Sequence, residues 1–251
     1  GKAVERHECI RGVPVRVAYQ TRTGNGRESN EDSLFVDRDS GLFIVADGMG
    51  GHNAGEVASS LAVRKIEEYV RQGLHEGEDP RDLLERSIVT AHEAILESSA
   101  RSPDLAEMGT TVVIALVQGD RLWAAHVGDS RAYMMGKGLI RQITHDHTFI
   151  ADLLAEGRIT VEQAKSHEAR HGLHMALGAG DEVQPDIADW KWEENDCLLL
   201  CSDGLTDMLD DNEILAIVED SIDLGKACAD MVRKAKEKGG QDDVTVVLVC
   251  R

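Results

Sequence analysis

The sequence is poor in positive charge. Its 251 residues carry 27 Lys and Arg against 46 Asp and Glu, a formal net charge of −19. Phosphate backbones and anionic membrane surfaces attract basic faces, so this balance argues against nucleic-acid binding and against polybasic membrane attachment. Long apolar runs are missing too. No stretch approaches the roughly 18 residues of a transmembrane helix, and residues 1–6 are not followed by the apolar segment of a secretory leader. Cysteine is sparse: Cys9, Cys197, Cys201, Cys228 and Cys250 are odd in number, scattered and without a CxxC pair. This suits a reduced cytoplasmic protein better than a disulfide framework, with Cys197, Cys201 and Cys250 expected as small buried hydrophobes. There is no internal repeat, low-complexity tract or composition shift to mark a boundary. A chain this long can bury a core without staples.

What is present is a set of short apolar runs split by turns. Strands are expected at 15–19, 33–37, 42–46, 197–201 and 244–249. A meander is expected over 111–143, broken by Gln118-Gly119-Asp120, Gly128-Asp129-Ser130 and Gly136-Lys137-Gly138. Helical spacing of apolar residues predicts helices over 55–71, 81–98 and 224–236. Asp79-Pro80 supplies a cap and a first-turn proline for the second of these. Strand groups and helices come in blocks, which favours an α+β fold with mainly antiparallel sheets.

The informative feature is where certain carboxylates stand. Phe43-Ile44-Val45-Ala46 runs into Asp47-Gly48, and Leu198-Leu199-Leu200-Cys201 runs into Ser202-Asp203-Gly204. Asp242-Asp243 precedes the run from Val244 to Val249, and Asp129 follows Val127-Gly128 at a turn. A single Asp-Gly is ordinary turn chemistry. Four aspartates abutting apolar runs are different, because carboxylates there are costly to desolvate and raise each other's pKa if they cluster. Divalent cations remove both problems. Mg²⁺ and Mn²⁺ take oxygen ligands, and a pair of such ions can clamp a phosphate and activate water.

These residues resemble the metal-dependent Ser/Thr protein phosphatases of type 2C in their compact bacterial form. The resemblance is carried in order along the chain. It opens with 23–32 (Thr-Gly-Asn-Gly-Arg-Glu-Ser-Asn-Glu-Asp) and 47–52 (Asp-Gly-Met-Gly-Gly-His) with Gly55-Glu56. Met108-Gly109-Thr110-Thr111, Val127-Gly128-Asp129-Ser130-Arg131, Thr144-His145-Asp146-His147-Thr148 and Ala176-Leu177-Gly178 follow. Ser202-Asp203-Gly204-Leu205 and Asp242-Asp243-Val244-Thr245 close the series.

The resemblance implies a central sandwich of two antiparallel β-sheets flanked by pairs of α-helices, an α-β-β-α arrangement. It implies an N-terminal extension over 1–14 and one catalytic domain over 15–251, with a flap at about 148–174. It implies two Mn²⁺ or Mg²⁺ ions, with a third supported by Asp129 and Asp203. Asp47 would bridge two ions, the Gly48 carbonyl would bind one, and Asp203 and Asp242 would bind the other. Glu31 and Asp32 would hold metal-bound waters. Arg27 would bind phosphate oxygens of the substrate through its planar guanidinium, and His52 is the candidate general acid. The partners implied are phosphorylated Ser/Thr proteins, a cognate Ser/Thr kinase among them; the chain itself is expected to be a cytoplasmic monomer. Two departures stand out: Arg22 where an acidic residue is usual, and Asp243 where Asn is usual.

Two other chemistries and one inactive alternative compete. His167-Glu168-Ala169-Arg170-His171 formally matches the HExxH pattern of zinc peptidases, but Gly172 follows at once and the segment falls in the expected flap. A thiol phosphatase on Cys201 would need Arg at position 207, which is Asp. An inactive phosphoprotein-binding module on the same fold would have lost metal ligands, and none is missing here.

Overall fold

Strand-length apolar runs without polar alternation need cover on both faces, and the fold provides it. A computed structural model describes residues 6–10, 13–51, 54–165, 167, 169 and 172–251. In chain order the first half comprises β1 (Arg6–Ile10), β2 (Val13–Arg22), β3 (Asp32–Asp37), β4 (Leu42–Met49), α1 (Ala54–Glu76), α2 (Pro80–Arg101), β5 (Gly109–Thr110), β6 (Val112–Gln118) and β7 (Arg121–Val127). The second half comprises β8 (Arg131–Gly136), β9 (Leu139–Gln142), α3 (Phe149–Ala155), α4 (Val161–Lys165), β10 (Asp186–Lys191), β11 (Cys197–Cys201), α5 (Asp203–Thr206), α6 (Asp211–Glu219), α7 (Leu224–Glu237) and β12 (Val244–Cys250).

Two antiparallel sheets result. One runs β1-β2-β12-β11-β8-β9, and the other runs β10-β7-β6-β4-β3 with β5 attached to β4. Three apolar layers separate the elements. Phe43, Val45, Val113, Ala115, Leu198, Leu200, Val247 and Val249 fill the space between the sheets. Leu42, Ile44 and Ala46, the alternate residues of β4, face the other way and pack with Ile66, Leu84 and Ile88 of α1 and α2. Likewise Val244, Val246 and Leu248 of β12 meet Ala227, Met231 and Ala235 of α7. The architecture is α-β-β-α, as the resemblance implies. Central strands such as β4, β6 and β12 carry two apolar faces because each sheet is sandwiched, and burying one Val, Leu or Ile contributes roughly 1.5–3 kcal/mol.

The helices run slightly beyond their expected ends. Asp79 caps α2 by accepting from the Arg81 amide at 2.9 Å, with Pro80 in the first turn. β10 and α6 go beyond the sequence reading. β1, within the expected N-terminal extension, pairs antiparallel with β2 at the sheet edge. No described helix is long and apolar enough to cross a membrane.

The cysteine expectation needs correction. Cys197 and Cys250 form a disulfide, their Cα atoms 4.1 Å apart across the β11–β12 ladder. Fifty-three residues separate them in sequence, and only the antiparallel register makes them direct neighbours. Cys201 and Cys228 are free and buried, as small hydrophobes should be.

Candidate metal centre

Strand ends from both sheets deliver the acidic side chains to one place. Asp32 opens β3 and pairs directly across the ladder with Asp47 near the end of β4. From the other sheet, β11 runs into Ser202 and Asp203, while Asp242 and Asp243 precede β12. The turn between β7 and β8 carries Asp129 from one sheet to the other.

Close backbone approach holds these ends together. Gly48 packs so tightly on Gly55 and Glu31 that a Cβ would run into both of their carbonyls. Gly24 lies as tightly on the backbone of Gln241 and Asp242. A side chain at either position would force the loops apart. Hydroxyls fix what remains. Thr110 Oγ1 donates to the Asp47 carbonyl at 2.8 Å, and the Asp47 amide donates to Thr111 Oγ1 at 3.1 Å. Ser202 Oγ donates to Asp32 Oδ2 at 2.8 Å and accepts from the Thr245 amide at 3.0 Å, which ties the two sheets at the site.

The electrostatics record the convergence. Burial, then Asp32, Asp203, Asp242 and Asp129, push the Asp47 carboxyl well above the usual carboxylate range. Burial pushes Asp32 up to about 7, against the pull of hydrogen bonds from Thr245 and Ser202. Burial and the neighbouring Asp203 and Asp146 push Asp129 up to about 8. Glu31 is raised as well, chiefly by burial. Asp32 Oδ1 is buried with no hydrogen-bond partner. Several carboxylates thus share one place; Arg131 acts on Asp129, and the Arg27 guanidinium lies against three of the acids. It lies 2.8 Å from Asp242 and 3.0 Å from Asp243, with Glu31 at 3.5 Å. Burial alone would lower the Arg27 pKa, but Asp242, Asp243 and Glu31 outweigh it and raise it.

The structure therefore brings together Arg27, Glu31, Asp32, Asp47, Gly48, Asp129, Asp203 and Asp242. His52 lies outside the described residues, as do Glu168 and His171 of the HExxH match; His167 is exposed. Asp243 joins the group; its signal in the sequence is its departure from the usual Asn, an extra carboxylate that either alters metal affinity or stays outside the ligand set. A second set was also missed. One ligand atom each from His126, His147 and Asp186 falls within 4.8 Å of the others, the one such trio among the described residues.

An all-oxygen donor set of half-buried, mutually repelling carboxylates defines a class of site, one built for hard divalent cations such as Mn²⁺ or Mg²⁺. The comparisons with known proteins are more specific. The protein phosphatase 2C family profile matches residues 22–247. The serine/threonine phosphatase Stp of Listeria monocytogenes serotype 4b is 37% identical over 94% of this chain and 96% of its own. The Mycobacterium tuberculosis phosphatase PstP is 38% identical over 94% of this chain and 45% of its own length. A crystal structure of the M. tuberculosis PstP/Ppp phosphatase superposes with a TM-score of 0.87 at 38% identity, covering 94% of this chain and 98% of that one. The PstP catalytic domain in complex with two manganese ions superposes with a TM-score of 0.83 at 37% identity, covering 94% and 97%. The chain belongs to the protein phosphatase 2C family, and its activity is that of a metal-dependent protein serine/threonine phosphatase. The comparisons support this reading and neither the peptidase nor the inactive module.

Proposed function

We propose that this chain hydrolyses phosphoserine and phosphothreonine in proteins at the carboxylate cluster, with Asp47, the Gly48 carbonyl, Asp203 and Asp242 holding two Mn²⁺ or Mg²⁺ ions. The observation that carries the proposal is the convergence of Asp32, Asp129, Asp203 and Asp242 on Asp47, all raising its pKa. Asp129 and Asp203 would support a third ion. The donor set fits: every side-chain ligand is a carboxylate, and those carboxylates repel until a cation neutralises them.

Bound cations supply an activated water and neutralise charge on the phosphate. The chain's own residues do the rest. Glu31 and Asp32 orient water at the rim of the cluster, and Arg27 binds the phosphate oxygens in the planar, two-armed fashion of a guanidinium. His52 donates a proton to the departing alkoxide of Ser or Thr. We read residues 15–251 as one catalytic domain, and the segment at about 148–174, which contains α3 and α4, as a flap beside the site. The substrates would be products of a cognate Ser/Thr kinase, in signalling, with the chain working as a cytoplasmic monomer. The free Cys201 and Cys228 fit a reducing setting, and the Cys197–Cys250 bond weighs the other way.

The test is turnover of a phosphothreonine peptide with Mn²⁺. Chelator and Asp203→Asn should each abolish it, while His167→Ala should have at most a modest effect. Metal-independent turnover, or full activity in Asp203→Asn, would sink the proposal.

A further inference from the structure

Asp243 is the most deeply buried acid of the site, its side chain 1% exposed, and its carboxylate accepts from three donors of one loop. Oδ1 accepts from the Gly24 amide at 2.8 Å. Oδ2 accepts from the Glu31 amide at 2.8 Å and from Arg27 Nη1 at 3.0 Å. Gly24, Arg27 and Glu31 are the start, middle and end of the loop joining β2 to β3. Three of the roughly four acceptor positions of the carboxylate are taken by these donors. The other arm of the guanidinium, Nη2, lies 2.8 Å from Asp242. The hold on Nη1 does not involve Asp242, so it persists when Asp242 takes another partner and leaves Nη2 directed at the cluster.

We infer that Asp243 is a positioning residue for substrate binding. It fixes one arm of Arg27 so that the other is presented to the phosphate. The inference rests on the proposed role of Arg27 in holding phosphate. It also gives the departure from Asn a physical meaning. Asn offers one oxygen and an NH₂ group. Turned either way, its NH₂ meets N–H donors: Gly24 on one side, or Glu31 and Arg27 on the other. Asn at 243 cannot satisfy this loop as it stands, whereas a carboxylate accepts all three bonds, one of them charge-assisted.

The loop keeps other anchors, so an Asn substitution need not unfold it. The Asn25 amide donates to the Gly240 carbonyl at 3.0 Å, and Lys236 Nζ donates to the Thr23 carbonyl at 2.7 Å. The test compares Arg27→Ala, Asp243→Asn and the double variant on a phosphothreonine peptide, with Mn²⁺ affinity measured by calorimetry on the same samples. Charged hydrogen bonds of this kind give roughly 10-fold effects or more. Arg27→Ala should raise KM by about that factor, and Asp243→Asn should raise it by roughly 5-fold or more, with kcat changing less than KM. In the double variant KM should match that of Arg27→Ala alone, because Asp243 acts through Arg27. Mn²⁺ affinity should be retained in Asp243→Asn. If Arg27→Ala raises KM and Asp243→Asn does not, or if the two effects multiply, the positioning role is wrong. Loss of Mn²⁺ affinity with KM unmoved would instead make Asp243 part of the metal centre. If Arg27→Ala leaves KM unchanged, the reading of Arg27 itself fails, and the inference with it.

Discussion

Two groups of potential metal ligands meet around the short turn between β7 and β8, and they differ in whether hydrogen bonds already satisfy them. His126, His147 and Asp186 do so among themselves and with the backbone. His126 Nε2 lies 2.6 Å from the His145 carbonyl, His147 Nδ1 accepts from the Gly128 amide at 3.2 Å, and His147 Nε2 faces Asp186 at 3.4 Å. The two rings stack with centroids 4.7 Å apart. A neutral imidazole that accepts at Nδ1 carries its proton on Nε2, so His147 offers no lone pair to a cation there. Burial lowers the pKa of both histidines, which keeps them in this neutral state. The carboxylates around Asp47 have donors as well, Asp32 from Ser202 and Asp242 from Arg27 and the Asp243 amide. They still crowd one another, and Asp32, Asp203, Asp242 and Asp129 each raise the pKa of Asp47, so proton uptake or a cation relieves the cluster. Proximity of ligand atoms is therefore a poor guide to a metal centre, and unsatisfied charge is a better one.

The largest effect expected from breaking this contrast is on catalysis. Asp47→Asn should reduce Mn²⁺-dependent turnover by roughly 100-fold or more, the scale on which removing an essential electrostatic partner acts. His126→Ala should leave the Mn²⁺ requirement in place, as a titration of rate against Mn²⁺ will show. A smaller effect concerns pH. In the metal-free chain Asp32, held up to about 7, and Asp129, held up to about 8, keep protons that unfolded aspartates release near about 3.9. Stability linked to those protons is complete below the unfolded value and is lost as pH rises through the folded values. A chelated sample should accordingly melt at a lower temperature at about pH 8.5 than at about pH 6, and excess Mn²⁺ should reduce that difference. An unchanged or rising melting temperature in the chelated sample would contradict the crowding. The smallest effect belongs to the histidines. His147→Gln should cost about 1–2 kcal/mol of unfolding free energy, the worth of one or two lost hydrogen bonds, measured by denaturant titration with Mn²⁺ affinity unchanged.

The same contrast explains what was legible in the sequence. Runs such as 42–46 and 244–249 announced strands covered on both sides, and Asp79-Pro80 announced a helix start. The aspartates at strand ends were visible because each interrupts an apolar run. β10 escaped notice because Asp186-Ile187-Ala188-Asp189-Trp190-Lys191 is half polar and sits at a sheet edge, paired only with β7. α6 had a signal that went unread: Asp210 and Glu213 form a capping box before Ile214 and Ile217. The Cys197–Cys250 bond had none, since it depends on the register of two strands. Nor did the roles of Ser202 and Thr111, whose partners Asp32 and Asp47 lie 170 and 64 residues away in sequence; Asp243 showed only as a departure from the usual Asn.

The central claim is that cations bind at the carboxylates and not at the histidines. Calorimetric titration of Mn²⁺ into the chelator-treated protein, beside the Asp203→Asn and His126→Ala variants, tests it most directly. The account predicts at least two bound ions in the unsubstituted chain and in His126→Ala, with tight binding lost in Asp203→Asn. Full binding in Asp203→Asn together with loss in His126→Ala would contradict it.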